Sequence, residues 1–165
     1  ERAFSLFTQV VGRSGRAEKA GRAYIQTFTP ENPVIGMAAC QDYARFYADE
    51  IEARRMHLYP PFCDLVGLGF SGVQKWQVAQ ASSRFLEQLV KLASAEYPGL
   101  PLRVLGPCES VIGRIAGRYR FRMAVKCRYD KRTRELLRRV YGWYYGQRDS
   151  REVAVFLDPY YENSI

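Results

Sequence analysis

Two hydrophobic periods alternate along the last two-thirds of this chain. Residues 62–71 read as a strand, with Gly67 and Gly69 on one face, where something can pack closely. Over residues 73–96 the period changes. Val78, Ala81, Phe85, Leu89 and Leu92 recur at spacings of 3, 4, 4 and 3, which predicts an amphipathic helix stopped by Pro98-Gly99. Strands are predicted over 102–105 and 118–127, and a helix over 131–145 with the stripe Leu137, Val140, Tyr141 and Tyr144. A last strand is predicted over 152–157. The order β-α-β-β-α-β predicts an α+β unit, a small sheet with its helices packed on one face.

The first third is less regular. Residues 1–12 read as the end of a helix, 12–21 as a glycine-rich turn, and 22–29 as a β-rich run closed by Thr29-Pro30-Glu31-Asn32-Pro33. One long helix is predicted over 34–57, with Met37, Tyr43, Phe46, Tyr47 and Ile51 near helical spacing and charges between them. Tyr59-Pro60-Pro61-Phe62 reads as extended chain, because proline forbids helix and biases the preceding residue to β or polyproline conformations. A boundary near residue 58 follows. The expected division is 1–32, a linker helix over 33–58, and a C-terminal domain over 59–165.

Composition adds a partner class. The 165 residues are 47% hydrophobic, enough for one domain or a domain plus a fragment, and the formal charge of +8 favours a polyanion, most often nucleic acid. That charge is concentrated. Between Gly113 and Arg139 stand eleven positive residues against two acids, a local balance of +9. Within this stretch Arg118, Arg120, Arg122 and Lys126 alternate with Tyr119, Phe121, Met123, Val125 and Cys127, so a strand here puts the cations on one face and the apolar residues on the other. Gly113-Arg114-Ile115-Ala116-Gly117 reads as a mobile loop able to approach a phosphate. Such a face would bind nucleic acid with strong salt dependence and little base specificity; a solvated sheet face is the alternative. The aromatic cluster Tyr141, Trp143, Tyr144 and Tyr145 offers either base stacking or core and rim packing.

No apolar run is long enough to span a membrane, and no targeting segment opens the chain. It begins inside an apparent helix without an initiator Met and so reads as an excised piece. Cys40, Cys63, Cys108 and Cys127 lie far apart and His57 stands alone, which is not a zinc-ribbon spacing. Buried, reduced thiols and no metal are expected.

The sharpest motif is Gln9-Val10-Val11-Gly12-Arg13-Ser14-Gly15-Arg16. Glycines permit close approach of a ligand, and two guanidiniums suit a shared polyphosphate. The chain holds no glycine-rich lysine loop for the remaining phosphates and no acidic pair for magnesium. Read alone, Gly12-Arg13-Ser14-Gly15 also suits the GXXG loop of a stand-alone RNA-binding module, although a glycine-broken turn follows it where that module has a helix.

Gln9-x-x-Gly12-Arg13-x-Gly15-Arg16 resembles motif VI of superfamily 2 helicases. The flanking Glu1-Arg2-Ala3-Phe4-Ser5-Leu6-Phe7, Lys19 and Gly21 resemble one family in particular. So do Glu52-x-Arg54-Arg55 ahead of Tyr59-Pro60-Pro61-Phe62, then Leu105-Gly106-Pro107, Gly117-Arg118-Tyr119-Arg120 and Leu157-Asp158-Pro159. From Arg2 to Pro159 the chain is similar to the primosomal protein N′ family, the bacterial replication-restart helicases of PriA type. It departs from the family in three places: Ser14 stands where Ala is usual, Phe156-Leu157 where an Asp-Val pair is usual, and residues 160–165 have no clear counterpart.

The resemblance implies a remnant of a RecA-like helicase lobe followed by a small S10-like C-terminal domain. It implies the C-terminal part of an ATP-dependent 3′–5′ DNA helicase that recognises stalled or branched forks and restarts replication by primosome assembly in the bacterial cytoplasm. Gln9, Arg13 and Arg16 would be catalytic in the intact motor, with Gly12 and Gly15 in the nucleotide site. ATP and Mg2+ belong to the intact enzyme, the family's zinc is bound outside this chain, and the fragment alone is expected to lack ATPase activity. Arg114, Arg118, Arg120, Arg122 and Lys126 are the expected DNA-binding residues. Arg134 and Arg138 are candidates for the acidic tail of single-stranded DNA-binding protein, with a charged outer face opposite the core stripe as the other reading. Other primosome proteins are the remaining expected partners. A domain that only docks protein is the competing function.

Overall fold

A computed structural model of the chain describes residues 1–13, 22–159 and 161. The chain divides into two units, Glu1–His57 and Leu58–Ile165.

The first unit holds three helices: α1 (Arg2–Arg13), α2 (Pro33–Ala39) and α3 (Tyr43–His57). Their small core is Phe4, Met37, Ala38 and Phe46, with the Phe4 and Phe46 rings stacked at 4.2 Å. The predicted β-rich run at 22–29 is not a strand. The predicted long helix is two helices. Gln41 adopts a left-handed φ of 54°, and its N–H and that of Asp42 bond back to the carbonyls of Ala38 and Met37, which terminates α2. Asp42 then caps α3 by accepting from Arg45 N at 3.1 Å.

The second unit begins with a turn where extended chain is expected. The Pro60–Pro61 peptide is cis, and Phe62 N–H donates to the Tyr59 carbonyl at 2.9 Å. There follow β1 (Asp64–Gly72), α4 (Lys75–Glu96), β2 (Leu102–Ile115), β3 (Arg118–Cys127), α5 (Lys131–Tyr145), a 3-10 turn (Arg148–Arg151) and β4 (Val153–Asp158). The strands form one sheet in the order β2-β3-β1-β4, with every neighbouring pair antiparallel. This is the α+β arrangement that the two periods predict.

Both helices lie on one face of that sheet. Val78, Phe85 and Leu89 of α4 and Leu136, Val140 and Tyr144 of α5 are buried against Val66, Leu68 and Phe70 of β1, Met123 and Val125 of β3, and Val153 and Val155 of β4. Asp130 caps α5 by accepting from Thr133 N at 3.0 Å, and that bond holds its carboxyl below the ordinary range. Glu96 at the end of α4 forms a two-pronged pair with Arg139 of α5, one arm at 2.9 Å.

The largest departure from sequence expectation is β2. It continues to Ile115, and the presumed loop at 113–117 is its last residues plus a two-residue turn, Ala116 (φ 47°) and Gly117 (φ 78°). Between Leu105 and Cys108 one extra residue is inserted relative to β3, and more between Glu109 and Arg114. The second irregularity leaves Val111 and Ile112 exposed.

Candidate nucleic-acid interface

The face of the sheet turned away from α4 and α5 carries the basic residues. On β3 the apolar side chains take the helix face, so Arg118, Arg120, Arg122 and Lys126 fall together on the open one. The register sets them in rows. Arg122 faces Gly69 of β1, which faces Phe156 of β4; Arg120 faces Ser71, which faces Ala154.

The individual cations differ. Arg118 is tied down: its Nε donates to Ser71 Oγ at 3.1 Å and its Nη2 to the Ser71 carbonyl at 2.8 Å. Arg122 is raised above its ordinary pKa, chiefly by a hydrogen bond with the Cys108 side chain, and also reaches Tyr161 OH at 3.5 Å. Arg120 has no side-chain partner among the described residues.

Two of the expected DNA-binding residues are placed differently from the other three. Lys126 is 6% exposed, its ammonium 3.5 Å from the centre of the Tyr59 ring. Arg114 pairs in register with Tyr119, on the helix side of the sheet, and its guanidinium sits over that ring at 5.0 Å. The two-residue turn at Ala116-Gly117 puts it there, by pairing Ile115 with Arg118 and so Arg114 with Tyr119. Arg103, which sequence reasoning missed, is exposed and joins the open face as the register partner of Lys126.

Two aromatic side chains on this face also went unread. The tip of the Phe156 ring fills the space that a Cβ on Gly69 would take, and the Tyr161 ring does the same over Gly67. The glycine pair did signal close packing; its occupants come from the end of this chain. Phe156 is nevertheless 48% exposed.

Arg134 and Arg138 lie elsewhere. With Tyr129, Leu137, Tyr141 and Leu157 they line a pocket of about 240 Å³ beside α5. They flank the apolar stripe of α5 instead of standing opposite it, so cationic walls meet an apolar floor. The tyrosines of α5 are engaged with β4, an edge strand. Tyr141 OH and Tyr145 OH donate to the Val155 carbonyl at 2.9 and 3.0 Å, and Tyr144 OH to that of Val153 at 2.7 Å. Burial and the neighbouring Tyr145 push the Tyr141 phenol up to about 12. The tyrosine hydroxyls cover the β4 edge of the sheet.

In the first unit, Gln9, Gly12 and Arg13 are exposed at the C-terminal end of α1, where the helix dipole favours a cation. Gly15 and Arg16 lie outside the described residues. Of the cysteines, Cys127 is buried, which raises its thiol to about 12, Cys63 is partly covered, and Cys40 and Cys108 are exposed, contrary to the expectation of four buried thiols. Among the described residues no three His, Cys, Asp or Glu side chains gather as a metal site. None of the described helices is long and apolar enough to cross a membrane.

Residues 55–160 match the family model of the primosomal protein N C-terminal domain. The chain is 34% identical over 162 residues to the replication restart protein PriA of Bacillus subtilis, covering 97% of this chain and 20% of that one. It is 39% identical over 129 residues to the PriA of Synechocystis, covering 76% of this chain and 15% of the relative. It is 35% identical over 132 residues to that of Chlamydia pneumoniae, covering 78% and 17%. The chain thus spans about a fifth or less of the length of the curated relatives it matches. With the C-terminal domain matched over residues 55–160 and a relative at 34% identity across nearly all of this chain, the chain belongs to the primosomal protein N (PriA) family of replication restart proteins.

Proposed function

We propose that this chain acts in replication restart as the C-terminal part of an ATP-dependent 3′–5′ DNA helicase, and that its second unit binds branched DNA through the open sheet face. The observation that carries this reading is the column Arg118, Arg120 and Arg122 on a sheet face that neither helix covers. Three guanidiniums in register neutralise backbone phosphates without reading bases, which suits a protein that must accept forks of any sequence. The first unit is, on this reading, the end of a RecA-like lobe. Gln9, Arg13 and Arg16 would meet the γ-phosphate of ATP in the intact motor, where the arginines stabilise charge developing during hydrolysis. ATP and Mg2+ would be held by residues outside this chain.

The pocket of Arg134 and Arg138 supports a second, compatible role. An acidic peptide suits its cationic walls, and its Leu137, Tyr141 and Leu157 lining would take an apolar side chain of that peptide; the acidic tail of single-stranded DNA-binding protein is the candidate. One experiment separates the two surfaces. Forked DNA and a tail peptide are titrated into the Arg118→Glu/Arg120→Glu and Arg134→Glu/Arg138→Glu variants. The first variant is expected to lose the fork and keep the peptide, the second the reverse. Loss of peptide alone from both would make the unit a docking module.

A further inference from the structure

We propose that the open face also holds an unpaired nucleobase against the Phe156 ring, so that it selects single-stranded DNA, or the single-stranded arm of a fork, over continuous duplex. This rests on the DNA-binding reading above and adds a ligand subsite to it. Phe156 is a large aromatic on an edge strand, 48% exposed, on the face that carries the β3 arginines. Its ring is positioned by the sheet itself. A Cβ on Gly69 would lie 2.0 Å from Cζ, 2.2 Å from Cε2 and 2.6 Å from Cε1, so the ring leans inward over the central strand and occupies the room glycine leaves. Tyr161 lies over Gly67, one row along, with its hydroxyl 3.5 Å from Arg122 Nη1.

The charges stand where a strand stacked on that ring would put its phosphates. Arg122 is the register partner of Gly69, so the row reads Phe156, Gly69, Arg122, with nothing larger than glycine between ring and guanidinium. Arg120 and Arg118 continue along β3 at intervals of about 6.7 Å, comparable to successive phosphates of an extended strand. Asp158 is the next residue along β4 on this face and bounds the basic area on that side. A base inside a duplex has both π-faces covered by its neighbours and cannot use the ring. An unpaired base can, and stacking of this kind tolerates any sequence.

The test uses the whole chain with a 2-aminopurine-labelled single strand and a blunt duplex of equal length. Phe156→Ala is expected to weaken single-strand binding about tenfold and abolish quenching of the probe, with duplex binding within about twofold of the parent. Phe156→Tyr keeps a ring at the same place and is expected to restore both, which excludes a folding defect. Arg120→Glu is expected to weaken both DNAs. If Phe156→Ala leaves single-strand affinity and quenching unchanged while Arg120→Glu weakens both DNAs, the stacking subsite is overturned and the DNA-binding reading stands. If Arg120→Glu changes neither DNA, the face does not bind DNA and both fall.

Discussion

The Lys126 ammonium lies 3.5 Å from the centre of the Tyr59 ring, and the lysine is 6% exposed. A desolvated cation held by an aromatic face is worth about 2 kcal/mol. Tyr59→Ala is therefore expected to lower unfolding stability by about that amount, and Tyr59→Phe, which keeps the ring, by much less. Urea denaturation measures both. If Lys126 instead served DNA, Lys126→Gln would lower DNA affinity with no loss of stability; the expected result is the opposite.

The contact of Phe156 with Gly69 gives a second expectation. Gly69→Ala forces the Phe156 ring off the sheet, a crowding that costs about 1–3 kcal/mol. In the Phe156→Ala background the same change meets open space and is expected to cost well under half as much, a coupling that a thermal double-mutant cycle detects. Equal costs in both backgrounds would mean that the ring does not rest there.

Tyr141 sets an alkaline limit on stability. Its phenol, ordinarily near 10, is raised to about 12 in the fold. The folded state therefore holds its proton more tightly than the unfolded chain. The stabilisation is complete below pH 10 and is lost as pH rises from 10 through 12. Tyr141→Phe is expected to flatten that part of the stability–pH curve and to leave its slope at neutral pH unchanged.

The parts of this fold legible in the sequence are those in which one residue's environment follows from its near neighbours. The spacing of Val78, Ala81, Phe85 and Leu89 fixes the buried stripe of α4, and the strict alternation from Arg118 to Cys127 fixes which face of β3 is basic. What failed depends on residues distant in sequence or on unusual choices of residue. Gln41 ends α2 in a conformation that glycine usually supplies, so no breaker announces it. The inserted residues in β2 break its period of two, which hid its length, and the unread turn at Ala116-Gly117 hid the pairing that sets Arg114 beside Tyr119. Lys126 shares the alternation of the other cations, and nothing in that pattern shows that the Tyr59 ring packs on its ammonium. Gly67 and Gly69 announced close packing on the right face, but no local pattern could name Tyr161 and Phe156 as the rings involved.

The central claim is that the Arg118, Arg120 and Arg122 face binds the DNA backbone. Its most direct test is the affinity of the whole chain for a forked DNA across a salt series, for the parent and for Arg118→Ala/Arg120→Ala. Each phosphate contact adds about 0.9 to the slope of log affinity against log salt. The account predicts weaker binding in the variant and a slope shallower by nearly two. An unchanged slope and affinity would contradict it and move DNA contact off this face.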